Sequence, residues 1–296
     1  MKLTIGPVLF NWSPAAWRDF HFRIADEAPV DRVVLGEVVC SKRVPFFAEH
    51  LPAVAERLAA AGKEVAFASL ALVTLERERR AVAELAADGT ILVEANDVSA
   101  LRPLAGRPHL IGPFVNVYNE ATARWLAARG AQAICVPPEL PASSIAAIAA
   151  AGGVPVEVFA FGRVPLAISV RCYHARVHGI HKDNCRFVCD QDPDGMLVET
   201  LDREPFLAVN GLQTLSYRCA SLIEDVALLR ASGAASLRLS PQSCDMAGVA
   251  RVFRDVIDGR MEAGAGREAL GALFPLAPFS NGFLHGRAGV ERVTVQ

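Results

Sequence analysis

Residues 109–139 read "HLIGPFVNVYNEATARWLAARGAQAICVPPE" and contain two apolar, strand-like runs on either side of an amphipathic, helix-like run. The same alternation recurs seven times, from "LTIGPVLF" near residue 3 to "PVEVFAFG" at residues 155–162. Continuous apolar strands, each followed by a helix, are typical of a parallel sheet covered on both faces. No G-x-G-x-x-G follows the first strand, so the pattern favours an α/β fold of the (β/α) TIM-like barrel type over an open sheet.

The alternation breaks after Gly162 and resumes with "PFLAVNG", the helix-like "SLIEDVALLRASG" and the strand-like "SLRLS". Residues 163–204 are therefore predicted to leave the barrel rim as an excursion after the seventh strand. The tail from Ala263 is interrupted by Gly and Pro and is predicted to wrap the surface. No linker or repeat divides the chain, which predicts a single (β/α)-barrel domain over residues 1–296.

Composition excludes several function classes. The chain is 52% hydrophobic with a mean hydropathy of +0.28, which is enough to form a large core. A net charge of -2 provides no basic field, so nucleic acid is not an expected partner. No secretory signal pattern and no uncharged apolar run of roughly 18 residues occur, which predicts a cytoplasmic protein that does not span a membrane.

Three cysteines distinguish the polar stretch "SVRCYHARVHGIHKDNCRFVCDQD", residues 169–192. Cys172, Cys185 and Cys189 have the spacing C-x12-C-x3-C. A long loop with few aliphatic residues must be held by something other than a core, and a metal centre would hold it. Three thiolates leave one position of a four-ligand centre to be supplied from elsewhere.

Four other cysteines are candidates for that position. Cys40 follows the strand-like "VVLGEVV", so it would lie at the carboxyl-terminal rim of a parallel barrel, where function collects. The cationic "SKR" after it favours a thiolate. Cys135 lies within a strand-like run and is interpreted as a small buried residue. Cys219 and Cys244 adjoin predicted helix starts, and each could be either a ligand or a structural residue.

Other polar residues allow two interpretations each. His174, His178 and His181 could complete a mixed zinc site, or they could be solvated residues of a polar loop. Glu37 and Glu157 could be carboxylates at the barrel mouth or partners in structural ion pairs. No H-E-x-x-H, G-x-S-x-G or P-loop occurs, and the sequence designates no catalytic residue.

Several motifs together carry a family resemblance. "LGEVVCSKR", "EVFAFGRVPLAISVRC", the Cys185/Cys189 pair, "VNGLQT" and "RLSPQ" occur in an order that resembles the anaerobic, O2-independent ubiquinone-biosynthesis branch of the collagenase-like peptidase family. The similarity extends from "IGPVLFNW" to "SNGF". It implies that Cys40, Cys172, Cys185 and Cys189 hold a [4Fe-4S] cluster and that the other cysteines are structural. Arg171 and Arg186, with "SKR", would then offset the charge of the thiolates.

The same resemblance implies a function and partners. Members of this branch act as a heterodimer, here with a UbiU-like sister subunit, to hydroxylate the ubiquinone precursor ring without molecular oxygen, and prephenate is the suggested oxygen donor. A lipid-binding helper would be needed for the isoprenoid tail. A zinc-stabilised, non-catalytic scaffold barrel and a peptidase are the competing interpretations, although no protease motif supports the second.

Overall fold

Eight parallel strands close into a barrel in the computed structural model, which describes residues 1–294. In chain order the barrel strands are β1 (Lys2–Ile5), β2 (Arg32–Leu35), β3 (Glu64–Ala68), β4 (Leu92–Ala95), β5 (His109–Ile111), β6 (Ala131–Cys135), β7 (Val156–Ile168) and β11 (Ala234–Leu239). Closure is made by β11, because Leu237 pairs with Leu3 on one side and with Val158 on the other. The predicted TIM-like barrel is confirmed.

Helices surround the barrel and bury its outer face. They are α1 (Pro14–Glu27), α2 (Val44–Phe47), α3 (Leu51–Ala60), α4 (Glu76–Ala87), α5 (Leu101–Leu104), α6 (Glu120–Ala127), α7 (Ala142–Ala151), α9 (Val226–Ala231), α10 (Met246–Ile257) and α11 (Ala263–Leu273). Strand residues alternate, so Val33 and Leu35 pack with Leu58 of α3 in the main core, whereas Val34 packs in a separate cluster with Leu110. None of the helices in residues 1–294 has the length and hydropathy needed to cross a bilayer.

Local sequence explains where elements begin and end. Ser13 caps α1, since its hydroxyl accepts a hydrogen bond from the Ala16 backbone N–H at 3.2 Å, and Pro14 occupies the first turn. The helical stretch between β2 and β3 is divided into α2 and α3 by a 3-10 turn at Ala48–His50. Pro52 has no N–H to donate to the carbonyl of Ala48, which interrupts the helical hydrogen bonding.

Beyond the barrel, β7 continues into an antiparallel sheet extension. It pairs with β10 (Gln213–Ser221), which pairs with β9 (Pro205–Asn210), which pairs with β8 (Met196–Glu199). The "PFLAVNG" run therefore belongs to this extension, and the prediction that it resumes the regular barrel units is wrong. The apolar pattern of a strand does not specify which strand it pairs with. The short helix α8 (Tyr173–Val177) lies between β7 and β8, within the interval 163–204.

The sequence predicts that the tail from Ala263 wraps the surface, but part of the tail is packed into the fold. It forms α11, and β12 (Phe279–Ser280) pairs in parallel with β10. Leu270, Phe274 and Leu284 are buried in the main core. Leu270 and Phe274 have the i, i+4 spacing of a helix, but the glycines and prolines around them obscure the pattern in the sequence.

Candidate functional site

Four cysteines from separate parts of the chain line one cavity at the barrel rim. Cys40 comes from the loop after β2, and Cys172, Cys185 and Cys189 come from the segment between β7 and β8. With the four thiols in place the volume of the cavity is about 20 Å³, so the side chains nearly fill it. A thiolate binds a metal at about 2.3 Å, well inside van der Waals contact, so a metal group fits between sulfur atoms more closely than a free molecule would.

Glu37 shapes the loop that carries Cys40. Its buried Oε1 accepts hydrogen bonds from the backbone N–H groups of Val39, at 2.7 Å, and Cys40, at 2.9 Å. Burial raises the pKa of this carboxyl group, although the charge of Arg43 and the backbone hydrogen bonds act in the opposite direction. Glu37 therefore holds the turn after β2, where Gly36 has a φ of 107°.

Cys172 and Cys189 accept weak hydrogen bonds from neighbouring groups. The Ala175 backbone N–H donates to Sγ of Cys172 at 3.5 Å, so this thiol caps α8. Asn11, from the loop after β1, donates through Nδ2 to Sγ of Cys189 at 3.4 Å. Hydrogen bonds from amide groups are among the contacts that tune sulfur ligands of metal centres.

His174 has a structural role beside the cavity. Its Nδ1 accepts a hydrogen bond from the Gly211 backbone N–H at 2.9 Å, so Nε2 carries the proton and donates to Asp192 at 3.0 Å. Burial lowers the pKa of this imidazole, which favours the neutral ring. His178 and His181 are exposed, so the histidines of the segment do not join the thiols as a ligand set.

Arg43 is the buried cation of the cavity. Nη1 donates to the Leu9 carbonyl and Nη2 donates to Oδ1 of Asn210, both at 2.8 Å. Its Nε has no hydrogen bond partner within residues 1–294, and the charge interacts with Cys40 and Cys189. A buried N–H without a partner, next to thiols, is suited to an anionic group at this position.

Two lysines supply the remaining positive charge at the cavity. Lys42 and Lys182 line it, and Nζ of Lys42 donates to the Lys182 carbonyl at 2.5 Å. Arg171 and Arg186, which the sequence places near the ligands, are exposed and do not line the cavity. The cationic contribution of "SKR" is thus present, whereas that of the two exposed arginines is not.

Burial favours the protonated form of two cavity thiols, Cys40 and Cys172. Burial raises the pKa of Cys40, and the neighbouring Glu37 charge adds to the effect. Burial also raises the pKa of Cys172. A metal group that binds here must displace these protons, so its affinity must rise with pH.

The other three cysteines lie outside the cavity. Cys135 and Cys219 are fully buried, and burial raises the pKa of both thiols. Burial raises the pKa of Cys244 to about 12, and this thiol lines a different cleft. The interpretation of Cys135 as a buried core residue agrees with its position at the end of β6.

Glu157 belongs to an ion network inside the barrel rather than to an open mouth. Its Oε1 accepts from Nε of Arg238 at 2.6 Å, and Arg238 also forms a two-pronged ion pair with Glu94. Thr4 and Ser236 donate to Oε2 of Glu157. Of the two interpretations of Glu157, the structural ion pair is the one that the side chain adopts.

The donor set of the cavity fits an iron-sulfur cluster. Four soft thiol ligands and a buried cation match a thiolate-bound cluster, whose overall charge is negative. No three His, Cys, Asp or Glu side chains in residues 1–294 are arranged around a common point that would hold one metal ion. A cluster binds each cysteine at a different iron, so it does not require the sulfurs to converge on a single point.

The fold and the site place this chain among parallel α/β barrel proteins, with a cysteine-lined cavity at the carboxyl-terminal rim of the barrel. The sequence profile of peptidase family U32 matches residues 19–294, and the chain belongs to this family. This finding agrees with the collagenase-like family resemblance of the motifs.

Two solved structures have similar folds at low sequence identity. The U32 peptidase Mk0906 is 14% identical with a TM-score of 0.46, over 82% of this chain and 94% of that protein. A chain of the tryptophan synthase complex from Pyrococcus furiosus is 10% identical with a TM-score of 0.42, over 91% of this chain and 97% of its own length.

Proposed function

We propose that this chain is the iron-sulfur subunit of a complex that hydroxylates the ubiquinone precursor ring without molecular oxygen. Cys40, Cys172, Cys185 and Cys189 would hold a [4Fe-4S] cluster. The observation that carries the proposal is that these four thiols, up to 149 residues apart in sequence, line one cavity with the buried Arg43.

Geometry supports a cluster over a single zinc ion. Four thiolates around one zinc, each at about 2.3 Å, would have sulfurs roughly 3.8 Å apart by tetrahedral geometry. The side chains of residues 1–294 are not gathered in that way at any point. A zinc-stabilised scaffold would therefore require the four thiols to move toward one point, whereas a cluster binds each cysteine at a separate iron.

The cavity also offers little to a peptidase. A cysteine nucleophile needs a base within hydrogen-bond reach. His174 lines the cavity, but its two nitrogens are engaged by Gly211 and Asp192. The family name therefore does not supply a proteolytic mechanism for this chain.

The proposed hydroxylation and partner rest on the motifs that resemble the anaerobic ubiquinone-biosynthesis branch, whose member here would be UbiV. They do not rest on the cavity. When bound, the cluster would supply electron transfer or activation of an oxygen donor such as prephenate. Arg43, Lys42 and Lys182 would offset its negative charge, and Asn11 would orient Cys189. We infer a UbiU-like sister subunit, each chain with its own cluster, and a lipid-binding helper that presents the isoprenoid tail.

Anaerobic purification tests the proposal. The wild-type protein, with and without a co-expressed UbiU-like subunit, should be brown and contain about four iron and four sulfide per chain. Cys185→Ala should lose stable iron. Cys244→Ala removes a cysteine outside the cavity and should keep full iron.

Three results would contradict the proposal or a part of it. A colourless protein that contains zinc would support the scaffold instead. Equal iron content in the Cys185→Ala and Cys244→Ala variants would remove the ligand assignment. In the iron-loaded protein, failure to hydroxylate the precursor ring together with the sister subunit would leave the cluster but remove the activity.

A further inference from the structure

A second cavity opens at the same rim of the barrel, between α1 and the loop from β11 to α10. It has a volume of about 470 Å³, which falls within the range of small-molecule pockets, roughly 300–1,000 Å³. Its lining includes Asn11, Trp12, Phe20, Asp190, Gln242 and Cys244. We call this cavity the rim cleft.

The rim cleft and the cysteine cavity share a wall. Asn11 lines the cleft, and its Nδ2 donates to Sγ of Cys189 at 3.4 Å. Asp190, the residue after Cys189, also lines the cleft. A molecule in the cleft would therefore lie one side chain away from a proposed cluster ligand.

Aromatic side chains form one face of the rim cleft. Trp12 and Phe20 pack edge to face, with ring centroids 5.2 Å apart. The indole N–H of Trp12 donates to the Pro193 carbonyl at 2.8 Å, which fixes the ring. A fixed aromatic face is suited to stacking a planar apolar ring.

Charge in the rim cleft disfavours an anionic occupant. Asp19 and Asp190 contribute carboxylates, and the cation at the cleft, Arg23, is already paired with Glu27 and Asp245 at 3.0 Å. A dicarboxylate would meet like charges and no free cation among the described lining residues. A neutral molecule avoids this cost.

Gln242 provides an acceptor for such a molecule. The side chain is 1% exposed, and its Nε2 donates to the Pro241 carbonyl at 2.8 Å. Its Oε1 has no hydrogen bond donor within residues 1–294 and almost no accessible surface, so the side chain must turn toward the cleft to meet a ligand. A buried acceptor without a donor is costly, and a hydroxyl group of a ligand would satisfy it.

We propose that the rim cleft binds a neutral phenolic ring, which stacks on one ring of the Trp12–Phe20 pair, meets the other edge to face, and donates its hydroxyl hydrogen to Oε1 of Gln242. That this ring is the quinone precursor rests on the proposed function. The position of the ring beside Asn11 would bring it next to the cluster, with no change in the fold.

Calorimetric titration of the anaerobically purified protein with 2-prenylphenol tests the proposal. Ala16 lines the cleft and Ala15 does not, although both are exposed in the first turn of α1. Ala16→Trp should fill the cleft and weaken binding by about tenfold or more. Ala15→Trp should bind like the wild type. Equal affinities of the two variants, or no binding to the wild type, would overturn the proposal.

A comparison of ligands tests the hydrogen bond without relying on one variant. The wild type should bind 2-prenylphenol about three- to tenfold more tightly than its methyl ether, which has no hydroxyl hydrogen to donate. Gln242→Leu should remove this preference. Equal binding of phenol and ether by the wild type would overturn the assignment of Gln242.

Iron and sulfide analysis of the same samples separates this inference from the proposed function. Iron-loaded protein that does not bind the phenol would overturn the inference about the rim cleft and leave the cluster assignment intact. Protein without iron that still binds the phenol at the rim cleft would overturn the cluster and leave the inference intact.

Discussion

Arg43 connects the barrel, the antiparallel extension and the cysteine cavity through one side chain. It donates to Leu9 in the loop after β1 and to Asn210 at the end of β9, and its charge faces Cys40 and Cys189. Because the guanidinium is planar and carries five N–H donors, it can meet several acceptors that a lysine could not reach together. The residue therefore fixes where the extension lies relative to Cys40.

Replacing Arg43 should destabilise the fold and the cavity together. Arg43→Met leaves Oδ1 of Asn210 without its donor and removes one of the two donors of the Leu9 carbonyl, and we expect a loss of about 2–4 kcal/mol in the free energy of unfolding. Urea unfolding of the metal-free protein measures this loss. Iron retention of the purified variant should also fall, since the thiolates lose their buried counter-charge.

Arg171→Met is the matched control for Arg43→Met. Arg171 is exposed and does not line the cavity, so its loss should leave both the unfolding free energy and the iron content close to those of the wild type. Equal behaviour of the two variants would show that the burial of Arg43 has no energetic role.

At the scale of elements, the turn between β9 and β10 supports the cysteine segment. Gly211 in this turn has a φ of 61°, its N–H donates to His174, and its carbonyl accepts from the Tyr173 N–H at 2.9 Å. A Cβ atom added at Gly211 would lie 2.8 Å from Nη2 of Arg43. The turn therefore needs glycine for its backbone and for its space.

A pair of glycine substitutions separates these two requirements. Gly179 has a φ of 66°, similar to that of Gly211, and nothing lies within 4 Å of an added Cβ atom. Gly179→Ala should cost only the backbone strain, about 1–2 kcal/mol, with normal iron content. Gly211→Ala should cost more, because Arg43 must also move, and its iron content should fall. Thermal unfolding and iron analysis measure the stability and the iron content of both variants. Equal losses would mean that Arg43 moves away from the added Cβ atom without an energetic cost.

The sequence predicts the elements of this protein unevenly. The barrel strands are recognisable because strands buried on both faces, such as β6 with its run "AIC", are short apolar runs followed by helices. The antiparallel extension is harder to recognise, although Asn210-Gly211 is a strong hairpin signal, because the apolar pattern of β9 also suits a strand of a regular barrel unit.

The candidate site is predictable to a similar, limited degree. The cysteines are rare residues with a distinctive spacing, so the amino-acid sequence alone singles them out. Arg43, His174 and Asn11 cannot be assigned their contacts in this way, because each depends on a partner more than 30 residues away in the chain. Short-range patterns do not carry that information.

At the scale of the whole molecule, the barrel is tied internally by a buried ion network. Glu94 on β4, Glu157 on β7 and Arg238 on β11 join strands from opposite parts of the sheet, and all three side chains are almost fully buried. Burial acts to raise the pKa of Glu157, but the charge of Arg238 and the hydrogen bonds from Thr4 and Arg238 outweigh it, so the pKa lies below its ordinary value. The folded barrel therefore favours the ionised carboxylate.

The ion network makes the free energy of unfolding depend on pH. In the wild type, the pKa of Glu157 is lower in the folded protein than in the unfolded chain, where it is 4.5. Its stabilising contribution is present above pH 4.5 and is lost as the pH falls through the lower folded value. Without Arg238, we expect burial, the largest influence, to outweigh Thr4 and Arg32 and to raise the folded pKa, so the contribution would be present at low pH and lost as the pH rises above 4.5.

Arg238→Met should therefore reverse part of the pH dependence of stability. At neutral pH we expect a loss of about 3–5 kcal/mol, because Glu94 remains buried without its cation and Glu157 keeps only Arg32, at 3.9 Å. Urea unfolding between about pH 4 and 7 should show the difference between wild type and variant growing as the pH rises. Arg260→Met, which removes an exposed arginine paired with Asp255 and Asp258, should follow the wild-type profile. A constant difference across this range would mean that Glu157 remains ionised without Arg238, and that water or another cation reaches the barrel interior.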